Sequence, residues 1–87
     1  NVFPLEITPL RNRLEDLDIL TKSILKKLNT HYAKEIKEID PNVRTAFLNY
    51  SWPGNIRELE NLLERAYVLE KTKVLTPENF PKTIFEG

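Results

Sequence analysis

One stretch of the sequence gathers residue types able to hold an anion: Trp52-Pro53-Gly54-Asn55-Ile56-Arg57-Glu58-Leu59. Pro53 and Gly54 interrupt the apolar periodicity and force a tight entry into the helix that follows. Arg57 then falls in the first turn of that helix, where the backbone dipole is locally positive and disfavours a cation by roughly a few tenths of a kcal/mol. A bound anion would give the cation a reason to be there, because first-turn N–H groups and a guanidinium together make a phosphate site. The plainer reading pairs Arg57 with Glu60 or Glu64 along the helix and makes Trp52, the sole tryptophan, a core residue. Residue physics alone favours the plainer reading, since such pairs are common on helix surfaces.

Other chemistries are hard to build from this chain. It has no cysteine, which excludes disulfides and thiolate metal sites, and its single histidine, His31, leaves a zinc site without its usual nitrogen ligands. The only glycines are Gly54 and Gly87, so neither a G-x-x-x-x-G-K-[ST] nor a G-x-G-x-x-G phosphate loop can form. No serine stands in a nucleophile elbow, and no Ser–His pairing is suggested by spacing. The carboxylates read as solvated helix faces rather than as a catalytic dyad. Thirteen basic against thirteen acidic residues give no net charge, which is unlike a dedicated nucleic-acid binder, whose affinity is dominated by phosphate neutralisation. No apolar run approaches a membrane span and no signal-peptide pattern opens the chain, so a cytoplasmic protein is expected.

The elements that must position Arg57 follow from periodicity. In residues 1–13, apolar alternation at Val2, Phe3, Leu5 and Ile7 is cut by Pro4 and Pro9, which predicts a short extended segment and a connector. Leu14, Leu17, Ile24, Leu28 and Tyr32, with Leu20 and Leu25 beside them, predict a helix over 14–33. Residues 34–39 stay open between a frayed helix end and an extended loop. Asp40-Pro41 signals a second helix over 41–50, with Val43, Ala46, Phe47 and Tyr50 on one face. Asn55, with Glu58 three residues on, predicts a capping box at the start of a third helix reaching Glu70. Its stripe is Ile56, Leu59, Leu63 and Ala66, flanked by Leu62 and Leu69. Thr76-Pro77, with Leu75 and Phe80 as a hydrophobic staple, predicts one more helical turn stopped by Pro81. The fold class is all-α: a small three- to four-helix bundle with a short extended N-terminal segment. Eighty-seven residues suit one domain with a thin core. Phe47, Tyr50, Trp52 and Tyr67 read as core or hinge aromatics, and Lys26, Lys27 and Lys34 as a solvated face.

Three segments also carry a family likeness. Asn1-Val2-Phe3-Pro4-Leu5, then Leu10-Arg11-Asn12-Arg13 with Glu15-Asp16-Leu17, and above all Tyr50 through Asn61 resemble the bacterial enhancer-binding activators of sigma-54 RNA polymerase, in the C-terminal part of their AAA+ ATPase domain. Leu75-Thr76-Pro77-Glu78-Asn79-Phe80-Pro81 is similar to the segment that closes that domain. The resemblance covers essentially the whole chain and reverses the balance between the two readings of Arg57. It implies that residues 1–13 are a connector from an ATPase core and 14–87 a helical lid. Arg57 falls on the family's sensor-II arginine, which reaches the phosphates of ATP, and Ile56 falls where the family contacts base or sugar. Leu10 and Arg11 would line the adenine side of the cleft. Asn12 stands where the family usually has an acid, and Thr8 where it often has proline.

On this likeness the phosphate loop, the magnesium-binding acids, the trans-acting arginine fingers and the polymerase-contacting loop would precede Asn1. A DNA-binding helix-turn-helix would follow Gly87. The chain is therefore expected to be an excised piece, not an enzyme alone, with ATP held together with magnesium from the core. Its expected partners are its own ATPase core, neighbouring ring subunits and, through the parent protein, sigma-54 polymerase. The alternatives are a stand-alone DNA-binding module, with the second and third helices as helix-turn-helix, and a generic protein-interaction bundle.

Overall fold

A computed structural model describes residues 14–86; the extended segment expected over 1–13, with Leu10 and Arg11, lies outside them. The first helix forms where periodicity places it, as a 3-10 turn over Leu14–Asp16 running into α1 (Leu17–Tyr32). Its buried face is Leu17, Thr21, Leu25 and Leu28, with Leu20 and Ile24 partly buried beside it, whereas Tyr32 stays 39% exposed. The seam is thus rotated towards Thr21, a polar residue that apolar periodicity could not flag. Ala33 ends the helix in the left-handed region, at φ 60° and ψ 36°, and its N–H donates to the Asn29 carbonyl at 3.0 Å.

Helix α2 (Pro41–Asn49) starts as the Asp-Pro pair dictates: the Asp40 carboxylate accepts the Asn42 N–H at 2.7 Å, and Pro41, lacking a donor, takes the first position. It buries Val43, Ala46 and Phe47. Helix α3 (Asn55–Leu69) buries Leu59, Leu63, Ala66 and Tyr67 and packs against α1. Leu69, expected to flank that stripe, is 52% exposed, because one more residue round the helix carries it off the seam.

Residues 34–37 take no regular structure and 38–39 form a short strand. Glu38–Ile39 (β1) pairs in parallel with Val74–Leu75 (β2), Glu38 opposite Val74 and Ile39 opposite Leu75. The Asn29 side chain feeds the chain into this pairing: its Nδ2 donates to the Ile36 carbonyl and its Oδ1 accepts the Ile36 N–H, both at 3.0 Å. The burial of Ile36 and Leu75 holds both flanks in the core. After β2 the expected turn appears as a 3-10 helix over Pro77–Asn79, and beyond Pro81 a further short helix, α4 (Thr83–Glu86), buries Ile84 and packs on α2. Leu75 and Phe80, the expected staple, are both core residues. Trp52, Tyr67 and Phe47 are the largest fully buried side chains, so the centre of the bundle is aromatic.

Candidate functional site at the mouth of the third helix

The site is built on the reversal between α2 and α3. Pro53 and Gly54 occupy the two central positions of a β-turn closed by the Asn55 N–H on the Trp52 carbonyl at 2.9 Å. Gly54 sits at φ −93° and ψ 7°, the values of a type I turn, for which proline is favoured one position earlier. Positive φ falls instead on the flanking residues, Trp52 at 53° and Asn55 at 54°. A left-handed tryptophan is strained by about 1–3 kcal/mol and persists only where packing over-determines it. Here the indole is fully buried, its Nε1 donates to the Phe47 carbonyl at 2.8 Å, and Phe47 and Tyr50 meet it edge-on at 5.2 and 4.9 Å between ring centroids.

The expected capping box does not form: the cap residue makes no side-chain bond to the helix, and only the return bond to the glutamate is present. Gly54, not Asn55, takes the cap position, and the returning carboxylate is Glu58, whose Oε1 accepts the Gly54 N–H at 2.8 Å. The positive φ of Asn55 displaces the cap by one residue. The other Glu58 oxygen accepts the Tyr50 hydroxyl at 2.5 Å, which holds that phenol above the usual tyrosine range. Glycine at 54 is a matter of space rather than conformation: a Cβ there would lie 2.8 Å from the Cβ of Glu58.

Arg57 projects from this braced turn. It is exposed, and neither the ion pair with Glu60 nor that with Glu64 forms; Glu64 instead accepts the Tyr32 hydroxyl at 3.0 Å. Arg57 has no hydrogen-bond or ion-pair partner among the described residues. By contrast Arg44, on α2, forms a two-pronged pair with Asp18 at 3.0 and 2.7 Å, which holds that carboxyl below its ordinary range. Ile56 is half-buried against the core. An unpaired guanidinium beside a helix start offers a fork and backbone donors to an anion brought from outside.

A family model of the AAA+ ATPase lid domain matches residues 11–87. The chain belongs to that family. The lid is 44% identical over 72 residues to the transcriptional regulatory protein XylR of Pseudomonas putida, covering 83% of this chain and 13% of that one. It is 39% identical over 84 residues to the regulatory protein AtoC of Escherichia coli, covering 97% and 18%. With the formate hydrogenlyase transcriptional activator FhlA of Escherichia coli it shares 41% over 75 residues, 86% of this chain and 11% of that protein. The lid therefore spans less than a fifth of the length of these curated relatives, of which XylR and FhlA are transcriptional by name and AtoC regulatory.

Two polar clusters that sequence reasoning missed hold the lid together. Lys34, expected on a solvated face, is half-buried: its Nζ donates to the carbonyls of Tyr67 at 3.0 Å and Glu70 at 3.2 Å, and lies 5.1 Å from the centre of the Tyr67 ring. It thus caps the C-terminal end of α3, where the dipole favours a cation. Glu70 is buried and accepts from the backbone N–H groups and hydroxyls of Thr72 and Thr76 and from the Asn79 amide. Burial pushes its carboxyl up, but these donors outweigh that and leave it at about 2. Partners from 2 to 36 residues apart leave no single spacing to read. The Thr72 and Thr76 pair after Glu70 is the one sequence hint.

A groove of about 730 Å³ between α1 and residues 34–38 is lined by Lys22, Lys26, Lys37 and Glu38 among others, and its lining includes neither Arg57 nor Ile56. No helix among the described residues is long and apolar enough to cross a membrane.

Proposed function

We propose that the lid serves an ATP-driven activator of sigma-54 polymerase, and that Arg57 is its sensor-II residue. The observation that carries this reading is a guanidinium exposed and, among the described residues, unpaired at a helix mouth whose backbone is otherwise tightly braced. A cation kept from its neighbouring glutamates is available to a phosphate supplied by another domain. Within the first turn, the Asn55 N–H is used on Trp52 and the Glu58 N–H on Gly54. The intervening amides of Ile56 and Arg57 are those a helix start presents without an intrahelical acceptor.

On this reading residues 1–13 connect the lid to an ATPase core that brings the phosphate loop and magnesium. Ile56, with Leu10 and Arg11 in the connector, lines the base and sugar side of the ATP cleft. The remaining partners are neighbouring subunits of a ring and, through the parent protein, the polymerase and DNA. Loss of the terminal phosphate removes the partner of Arg57, and the lid rotates against the core. The lid itself supplies binding and signalling, and the chemistry belongs to the core.

The helix-turn-helix alternative fits the same geometry less well, because the exposed face of α3 carries Glu60 and Glu64 beside Arg57 and Arg65, and carboxylates oppose a phosphate backbone. In the full-length parent, Arg57→Ala should lower ATP hydrolysis at least about tenfold, or uncouple it from transcription activation, with the circular-dichroism spectrum and melting temperature unchanged. Wild-type hydrolysis and activation in that variant would overturn the assignment.

A further inference from the structure

Each Glu58 oxygen has a committed donor, Gly54 N–H on one and Tyr50 hydroxyl on the other, at 2.8 and 2.5 Å. Those two donors lie on opposite sides of the α2–α3 turn, Tyr50 just beyond the last residue of α2 and Gly54 just before the first of α3. The carboxylate is therefore a cross-brace over the reversal. It is also the acid nearest to Arg57 in sequence, and it is engaged away from it. We infer that Glu58 and Tyr50 are positioning residues for Arg57: the brace fixes the direction in which the guanidinium leaves the helix, and the Tyr50 hydroxyl is its anchor on the α2 side. This rests on the reading of Arg57 as the phosphate contact and extends it to residues that touch no nucleotide themselves.

The geometry supplies the mechanism. A Cβ added at Gly54 would lie 2.8 Å from the Cβ of Glu58 and 3.3 Å from its Oε1, so the carboxylate reaches the Gly54 amide through space that glycine leaves open. Trp52, left-handed and pinned by its bond to the Phe47 carbonyl, holds the opposite corner. With the Tyr50 hydroxyl removed, the Glu58 carboxylate loses its anchor on the α2 side and the brace slackens. With the Glu58 carboxylate removed, the Gly54 amide loses its acceptor and the first turn of α3 loosens. Small displacements of a charged fork are costly wherever it must meet an anion in fixed geometry.

The test is the preference for ATP over ADP, measured by calorimetric binding to the full-length parent, which does not depend on turnover. Arg57→Ala should remove the part of that preference owed to the terminal phosphate. Glu58→Ala and Tyr50→Phe should each reduce the preference about three- to tenfold, and Glu58→Gln, which keeps an acceptor for Gly54, should restore most of it. On the Arg57→Ala background, Glu58→Ala should change the preference less than about twofold, since a residue acting through Arg57 has nothing left to position. If Arg57→Ala loses the preference while Glu58→Ala and Tyr50→Phe both retain it, the positioning role is overturned and the sensor reading survives. An equal loss from Glu58→Ala with and without Arg57 also overturns the positioning role. If Arg57→Ala retains the preference, the sensor reading falls and this inference falls with it.

Discussion

At the scale of single residues, Gly54 and Arg57 show two different reasons for an unusual choice. Arg57 runs against the helix dipole by roughly a few tenths of a kcal/mol, and no partner among the described residues offsets this. Gly54 adopts a conformation open to any residue, yet its missing Cβ leaves space for Glu58. Gly54→Ala should therefore destabilise the chain by about 1–3 kcal/mol, as overpacking does. Urea unfolding measures this, and a cost near zero would show that the turn can open without loss. The Trp-to-Leu stretch stood out as a candidate site because rare residue types crowd into eight positions. That Glu58 braces towards Tyr50 was not legible, because the positive φ of Asn55 shifts the cap by one residue and no spacing rule announces it.

Among elements, the helices were readable wherever a strong periodicity met a chemical stop signal. Asp40-Pro41 opened α2 where expected, and the Trp-Pro-Gly run separated α2 from α3. The seam of α1 was misplaced by part of a turn, since Thr21 occupies a core position that a hydrophobic count assigns to Ile24 or Tyr32. The two-residue strands were invisible for a simpler reason. Two residues carry no alternation, and their pairing is fixed by Asn29 and by the burial of Ile36 and Leu75 rather than by local propensity. The end of α1 offers a test at this scale. Ala33 occupies the left-handed cap position that glycine fills at least cost. Ala33→Gly should stabilise the chain by about 0.5–1 kcal/mol, the relief of strain exceeding the added freedom of the unfolded chain. A lower melting temperature in that variant would contradict the strain argument.

For the whole molecule, Glu70 is the main polar link between the end of α3, β2 and the 3-10 turn. Its folded value of about 2 lies below the ordinary 4.5, so the stability it contributes is fully present above roughly pH 4.5 and is lost as the pH falls towards 2. Urea midpoints measured between pH 6 and pH 2 should fall steadily across that window. In Glu70→Gln the part of the fall owed to this group should vanish, and stability at neutral pH should drop by about 2 kcal/mol through the loss of charge-assisted hydrogen bonds. A pH profile unchanged by the substitution would assign the acid sensitivity to other groups. No balance of overall charge reveals such a link, because the sequence shows the carboxylate without its donors.

The parallel pairing of β1 with β2 has a consequence for the order of events in folding. Everything from α2 through α3 lies between those two strands, so their registry cannot be reached until a long loop has closed, whereas the α2–α3 hairpin needs only neighbours in sequence. The hairpin, with its indole and carboxylate brace, should act as the nucleus, and the strands should snap shut after the barrier. Leu75→Ala, at a fully buried position, should then accelerate unfolding while leaving the refolding limb of the chevron nearly untouched. Slower refolding in that variant would place the clasp before the barrier instead.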